Sequence, residues 1–310
     1  MKKFIKKFLH IAEMLIPPLL AHVIKNIFLM LWKPNTWRVS IGNYNRMHSQ
    51  LIILGNGPSL NESIKRLENS LEEFDCMAVN GFANTQYYEK IKPNMYVLAD
   101  PVYFLDRTEL ADNTKEIVNS LEKSLREKTV WKIAIFVPNY GRNSEFVRNI
   151  RTNVNISMFY FNMHDHFAPI SERFRYFLWD RNWIALAGKT VLNTCVNLGI
   201  ILRYEEINII GADTSWHEQL RVDQENNKLY TIDKHFYGEK KVYVYADSFG
   251  KVPERLDREL VAISKALSSY WDLKKYAEKR KIKIYNASSY SNIDAFPRKS
   301  IKDIEKRGNV

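Results

Sequence analysis

Leu51-Ile52-Ile53-Leu54-Gly55-Asn56-Gly57-Pro58-Ser59-Leu60 runs from a short apolar stretch through a glycine turn into an amphipathic segment. A buried strand that enters a tight turn and then a helix is the opening unit of a mostly parallel α/β sheet, in which ligands bind beyond the carboxyl ends of the strands. Glycines in such a turn let backbone N–H groups approach a phosphate or nucleotide. The stretch is neither a G-x-G-x-x-G nor a G-x-x-x-x-G-K-[ST] motif, because Gly55-Asn56-Gly57 is followed by Pro58-Ser59-Leu60. Pro58 fixes φ in the turn and Ser59 suits the cap of a helix beginning near Asn61, which accounts structurally for both. Asn56 is left over, an amide held between two glycines where it can read a phosphate or a base.

The rest of the body repeats this alternation. Apolar runs at 51–54, 76–79, 95–98, 130–136, 156–160, 207–210 and 282–285 predict strands, and amphipathic stretches at 61–72, 84–91, 105–126, 144–150, 189–203 and 255–280 predict helices. No repeat or Gly/Ser-rich linker divides them, so the pattern predicts one doubly wound α/β domain over 45–297. Residues 212–252 lack periodicity and are too long for an ordinary connection, which marks 214–250 as a lid.

Polar residues follow strand after strand. Asn80 closes the second run and Asp100 the third, and Ala187-Gly188-Lys189-Thr190 opens a helix whose N-terminus suits an anion. Gly211-Ala212-Asp213-Thr214-Ser215-Trp216-His217 follows the sixth run, and Asp233-Lys234-His235-Phe236-Tyr237-Gly238 comes later. Asp213 serves equally as a brace for its turn or as a site residue. The aromatic residues between 216 and 245 fit a sugar-stacking lid or the core of a small lobe. His164-Asp165-His166 reads as a polar loop, since no third ligand stands in evident reach.

The chain has 310 residues, of which 45% are hydrophobic, and carries a net charge of +11. Seven basic residues against Glu13 lie before residue 39, and five against two acids lie in 298–310, so the excess sits at the two ends. A nucleic-acid binder would spread its basic footprint over the folded body, so the ends predict contact with an acidic surface. Residues 3–16 place Phe4, Ile5, Phe8 and Leu9 on one helical stripe and lysines on the other face; Pro17-Pro18 and a second apolar stretch to Trp32 follow. Neither piece is long enough to span a bilayer, and no cleavage site of a signal peptide follows. Residues 1–40 therefore read as membrane-surface helices, the alternative being a hairpin packed on the domain or on a partner. Residues 298–310 read as a basic tail. Cys76 and Cys195 sit in apolar runs, which excludes a disulfide scaffold and points to a reducing compartment.

The Gly-Asn-Gly-Pro-Ser-Leu turn, the Asn after the second strand, the Thr helix start with its following Tyr-x-Glu-Ile-x-x-x-Gly-x-Asp, and the late His-aromatic-x-Gly resemble the bacterial sialyltransferases that decorate lipooligosaccharide (glycosyltransferase family 42). Parts of the same layout resemble motility-accessory and hydroxymethylpterin diphosphokinase-like proteins. The first resemblance implies a variant Rossmann, GT-A-like fold and metal-independent, inverting transfer of a CMP-activated sialic acid-like or other 2-keto sugar. Its partners would be the CMP-sugar donor, a cell-surface glycan or lipid-linked acceptor, the cytoplasmic face of the bacterial inner membrane as a peripheral surface, and a second copy in a homo-oligomer; nucleic acid is not among them. Asn56, Gly57, Ser59 and Asn80 would lie along the donor, Asp100 on its sugar side, and Thr190 at the donor's carboxylate or phosphate. Asp213 and Ser215 would border the same site. His235 would take the acceptor's proton, with His217 beside Glu218 as the second choice. Asp100 stands where that family has Asn, and Ser215-Trp216 replaces its bracing tyrosines, which leaves Tyr230, Tyr237, Lys234 or Arg221 to brace the leaving phosphate.

The chain has no Asp-x-Asp pair, which fits a donor that leaves as a monophosphate without metal or other cofactor. Two alternatives remain. One is Mg²⁺-dependent pyrophosphate transfer to a pterin, with Asp100 and Asp213 on the metal. The other is a non-catalytic membrane scaffold that keeps the fold for nucleotide binding alone.

Overall fold

The computed structural model describes residues 39–67, 70–163, 172–183, 190–235, 238–247 and 249–305, with the side chains of 233–235, 238–240 and 305 outside that description. The expectations for 1–38, for His164-Asp165-His166, for Ala187–Lys189 and for Tyr237 fall outside the described residues. Seven strands form one parallel sheet: β1 (Gln50–Leu54), β2 (Asp75–Val79), β3 (Met95–Val97), β4 (Ile133–Pro138), β5 (Ile156–Phe161), β6 (Glu206–Ile210) and β10 (Lys283–Asn286), in the order β10-β6-β1-β2-β3-β4-β5. A second sheet is the antiparallel meander β7 (Leu220–Val222), β8 (Leu229–His235) and β9 (Gly238–Tyr243). The helices are α1 (Leu60–Leu67), α2 (Tyr87–Ile91), α3 (Asp112–Lys128), α4 (Glu145–Ile150), α5 (Glu172–Asp180), α6 (Val191–Ile201), α7 (Trp216–Gln219), α8 (Leu256–Lys279) and α9 (Ile301–Glu305).

The doubly wound α/β fold read from the sequence is the fold observed, and its physical basis is visible strand by strand. Side chains alternate across a strand, so a strand buried on both faces reads as a nearly continuous apolar run. Leu51, Ile53, Met77, Val79, Ile207 and Ile209 pack on one side with α6 and α8. Ile52, Leu54, Cys76, Ala78, Ile135 and Val137 pack on the other with α1, α3 and α4. Helix α6 lies between sheet and α8 and buries nine consecutive residues, Leu192 to Ile200, so it is covered all round rather than striped, with Asn193, Thr194 and Asn197 among the buried side chains. Cys76 and Cys195 are buried and unpaired.

Three segments carry structure that the sequence did not show. The stretch 214–250, which has no periodicity in sequence, carries α7 and the antiparallel meander. Where a helix was expected from 105, a 3₁₀ turn at Arg107–Glu109 capped by Asp106, itself preceded by one at Pro101–Phe104 capped by Asp100, stands before α3 starts at Asp112. The basic stretch from 298 is packed through α9: Arg298 bridges to Asn286, Lys299 pairs with buried Glu206, and Ile301 and Ile304 join the core around α1. Among the described residues no helix is long and apolar enough to cross a membrane.

Candidate functional site

The strand order reverses between β1 and β6, and their register sets several polar tips at one level. Leu54 lies opposite both Ala78 of β2 and Ile210 of β6, while Val79 lies opposite Val97 and Ile209 opposite Asn286. The residues that follow these positions therefore emerge along one rim, at the topological switch point where such folds open a crevice. A cleft of about 570 Å³ lies there, within the range of small-molecule sites. Asn56, Gly57, Asn80, Asp100, Thr190, Asp213 and Ser215 all line it, and α8 closes the opposite side with Glu259, Ala262, Ile263 and Ala266.

The two turns that form the floor are locked together. Gly55 N–H donates to Ile210 O and Gly57 N–H to Gly211 O, each at 2.8 Å. A Cβ on Gly57 would lie 2.6 Å from Cγ of Asp213, and one on Gly55 would lie 2.8 Å from the carbonyl carbon of Gly211. The glycines are thus demanded by the close approach of two chain segments, and the Gly57 amide is spent inside the protein instead of facing a phosphate. Ser59 is buried with them. Its backbone N–H donates to Asp213 Oδ2 at 3.1 Å and its hydroxyl to Oδ1, so it is a clasp between β1 and β6 and does not line the cleft. Asp213 is correspondingly the brace of its turn: burial pushes its carboxyl up from its ordinary value while the two Ser59 hydrogen bonds oppose the shift.

Asn80 takes the left-handed conformation, φ +43°, which Asn tolerates. Tyr96 OH donates to its carbonyl and its Oδ1 accepts from Ala99 N–H at 3.5 Å, which holds the side chain at the rim. Asn56 Nδ2 donates to Val79 O at 3.3 Å. Thr190 is the N-cap of α6, accepting from Asn193 N–H at 3.3 Å and lying 3.4 Å from the buried Tyr270 hydroxyl. Thr214, with φ +53°, is a β-branched residue in a region such residues avoid, and it sits on the cleft wall.

Asp100 caps the turn after β3, its Oδ1 accepting from Val102 N–H at 3.0 Å. It is open to solvent on one side, yet crowding by neighbouring atoms pushes its carboxyl above the ordinary 3.8. An acid held above its unfolded value keeps its proton more tightly when folded, so its contribution to stability is full below pH 3.8 and is lost as pH rises through the raised value. Asp100→Asn keeps the Val102 acceptor and removes that titrating proton. Urea midpoints measured from pH 3.5 to 7 are expected to fall less, or rise more, with pH in the variant than in the wild type. Parallel curves would refute this.

A smaller hollow of about 290 Å³ adjoins the cleft. Pro58, Asp213, Ser215 and Gln219 are walls of both, and Glu218, Arg221, Ile232 and Tyr290 complete the hollow. His217 is exposed on α7, with Nε2 3.8 Å from Glu218 Oε1, and lines neither cavity. Tyr230 lies on the meander, edge-on to Tyr243 and under Lys241, away from both. His235 ends β8 opposite Gly238, and its side chain is outside the described residues. Arg221 lines the hollow and not the cleft.

Sequence reasoning missed the segment after β10. Ser288 Oγ accepts from Ala212 N–H at 2.9 Å, Ser291 Oγ donates to Ala212 O, and Asn292 N–H donates to Asp213 O at 2.9 Å. Asn286 in turn donates to Ser291 Oγ at 2.9 Å. The polar run Asn286-Ala-Ser-Ser-Tyr-Ser-Asn292 just after an apolar strand was the available signal, the same one that marked the other strand ends. Glu259 and the α8 wall carried no such signal.

The family model described as 6-hydroxymethylpterin diphosphokinase MptE-like matches residues 21–219, about two thirds of the chain. The chain belongs to the MptE-like family. In this MptE-like chain the match takes in β1 through β6 and stops at the end of α7, before the meander, α8 and β10. Of the two resemblances read from the motifs, the pterin diphosphokinase-like one is the one this match supports. Among solved structures, a MAf glycosyltransferase from Magnetospirillum magneticum AMB-1 is similar at 13% identity and a TM-score of 0.47, over 86% of this chain and 37% of that one. The MptE-like chain thus spans a little over a third of that protein. No curated protein matches it.

Proposed function

We propose that the protein is a glycosyltransferase drawing on a nucleotide-activated sugar, a CMP-linked sialic acid-like or other 2-keto sugar in the first instance. The observation that supports this most is the convergence of Asn56, Asn80, Asp100 and Thr190 on one cleft at the switch point. Amides carry both donor and acceptor atoms, which suits a base and ribose. The capped N-terminus of α6 offers an anion partial positive charge without a metal. In this reading the acceptor is a surface glycan or lipid-linked saccharide, His235 takes the acceptor proton with His217 as the alternative, and the N-terminal segment rests on a membrane surface.

The family description favours a second reading, pyrophosphate transfer to a hydroxymethylpterin. A Mg²⁺ brought in on nucleotide phosphates needs only one or two carboxylates. Asp100 and Asp213 both line the cleft, as does Glu259, and each Asp213 oxygen, with one hydrogen bond from Ser59, keeps a lone pair for a cation. Among the described residues no group of three His, Cys, Asp or Glu converges on a metal position.

Melting the purified protein with CMP, UDP, GDP or ATP, each with Mg²⁺ and with EDTA, separates the readings. The expected result is a midpoint rise with CMP that EDTA leaves unchanged, since saturating ligand at a hundredfold excess over its Kd stabilises by about 2.7 kcal/mol. A rise with ATP alone, abolished by EDTA, would establish the second reading and overturn the first.

A further inference from the structure

The hollow beside the cleft has features that its neighbour lacks. Arg221 is the one Lys or Arg among the described residues lining either cavity. Its Nη1 donates to Glu218 O at 2.8 Å and Leu220 O at 2.7 Å, which fixes the guanidinium and leaves Nε and Nη2 without a partner among the described residues. Neither acid of the wall is in an ion pair with it: Asp213 accepts from Ser59, and Glu218 Oε1 accepts from Tyr290 OH at 2.6 Å and Asn292 Nδ2 at 2.8 Å. The cavity therefore holds a pre-positioned cation in no ion pair with a described acid, a fork suited to a carboxylate or phosphate.

The remaining surface is amphipathic in the manner of a sugar. Pro58, Ile232 and the half-exposed ring of Tyr290 offer apolar faces for C–H groups. Ser215 and Glu218 offer polar atoms for hydroxyls. The volume, about 290 Å³, stands at the lower end of small-molecule pockets and suits one ring rather than a nucleotide. The walls shared with the cleft bring a ligand here against one bound there. Arg221, Ile232 and Tyr290 all lie beyond residue 219, where the family match ends, so the walls particular to this hollow come from the part of the chain the family model leaves out.

We propose that the hollow is the acceptor subsite and takes a sugar-like acceptor bearing an anionic group, carboxylate or phosphate, against Arg221. The proposal rests on the cleft being the donor site, and its test separates the two. Binding of glucose, glucuronate and glucose 6-phosphate to the full chain in the presence of CMP is measured by ligand-observed NMR titration. At least one anionic sugar is expected to bind tenfold or more tightly than glucose, and Arg221→Gln and Arg221→Ala are expected to erase that preference while Arg221→Lys retains part of it. The melting midpoint of each unliganded variant reports its folding. Preference for glucuronate alone or for glucose 6-phosphate alone assigns the anion. Equal affinities for all three sugars in the wild type, or an anionic preference that survives Arg221→Gln, would overturn the proposal. An anionic preference without any CMP-induced midpoint rise would remove the donor reading and leave the hollow as an anionic-sugar site.

Discussion

Replacing Gly211 with alanine is expected to destabilise the protein by about 2–5 kcal/mol. Gly211 has φ +66°, and a Cβ there would lie 2.7 Å from Leu60 Cβ and 2.8 Å from Gly55 O. The left-handed conformation costs an L-residue roughly 1–2 kcal/mol, and forcing an extra carbon into a packed site typically adds about 1–3 kcal/mol. The melting midpoint should fall by roughly 5–15 °C. The damage should extend to function, because Gly211 O receives the Gly57 N–H and the same turn carries Asp213. Any CMP-induced midpoint rise is therefore expected to shrink along with stability. Gly42→Ala is the control: nothing lies within 4 Å of its Cβ position, and a midpoint within a degree or two of wild type is expected. Equal midpoints for Gly211→Ala and wild type would contradict the close packing of the two turns.

The second large effect is expected at the far end of β6. Lys299 and Glu206 form an ion pair with side chains only 9% and 5% exposed, and Glu206 Oε1 also accepts from Asn208 Nδ2 at 3.0 Å. Removing one partner of a buried pair strands a charge, at a cost of about 3–5 kcal/mol. Lys299→Met should show that loss in urea unfolding, together with faster hydrogen exchange over 298–305, where Ile301 and Ile304 are docked. Glu206→Gln combined with Lys299→Met leaves no buried charge and keeps an acceptor for Asn208, so the double variant is expected to recover part of the loss. A double variant as unstable as the sum of the two singles would mean that the charges are not coupled.

What the sequence made legible follows from burial. All seven strands of the main sheet stand out as apolar runs because both faces of the central strands are covered, and the edge strands β5 and β10, where Ser157 and Lys283 are exposed, are partly covered. The boundary of β4 was misplaced because Val130 is apolar yet 74% exposed, and Trp131 uses its Nε1 on Pro93 O at 2.9 Å instead of joining the strand. Helix α5 was not read: in Glu-Arg-Phe-Arg-Tyr-Phe-Leu-Trp-Asp, Tyr176, Leu178 and Trp179 are buried while Phe174 and Phe177 are exposed, so aromatic content masks the stripe. The meander escaped for the opposite reason. Among the described side chains of β8 Leu229 is the buried one, and Tyr230, Thr231, Ile232, Val242 and Tyr243 are half-buried, so little alternation marks these strands.

The site divides in the same way. Asn56, Asn80, Asp100, Thr190 and Asp213 could be picked out because each follows a strand or opens a helix, and parallel strands in register deliver such tips to one rim. The role of each tip was another matter. Ser59 looks like a donor contact in sequence and is a clasp on Asp213, which lies 154 residues away.

The amino-acid sequence alone determined the layering, since periodicity in apolar residues records which faces are covered, and that is a local property of each element. The neighbours of each polar tip, the α8 wall of the cleft, the Asn286–Asn292 brace and the unneutralised Arg221 were decided by tertiary structure. They depend on contacts between segments far apart in the chain, and no local pattern encodes which distant hydrogen-bonding group will use up a side chain and which will leave it facing a ligand.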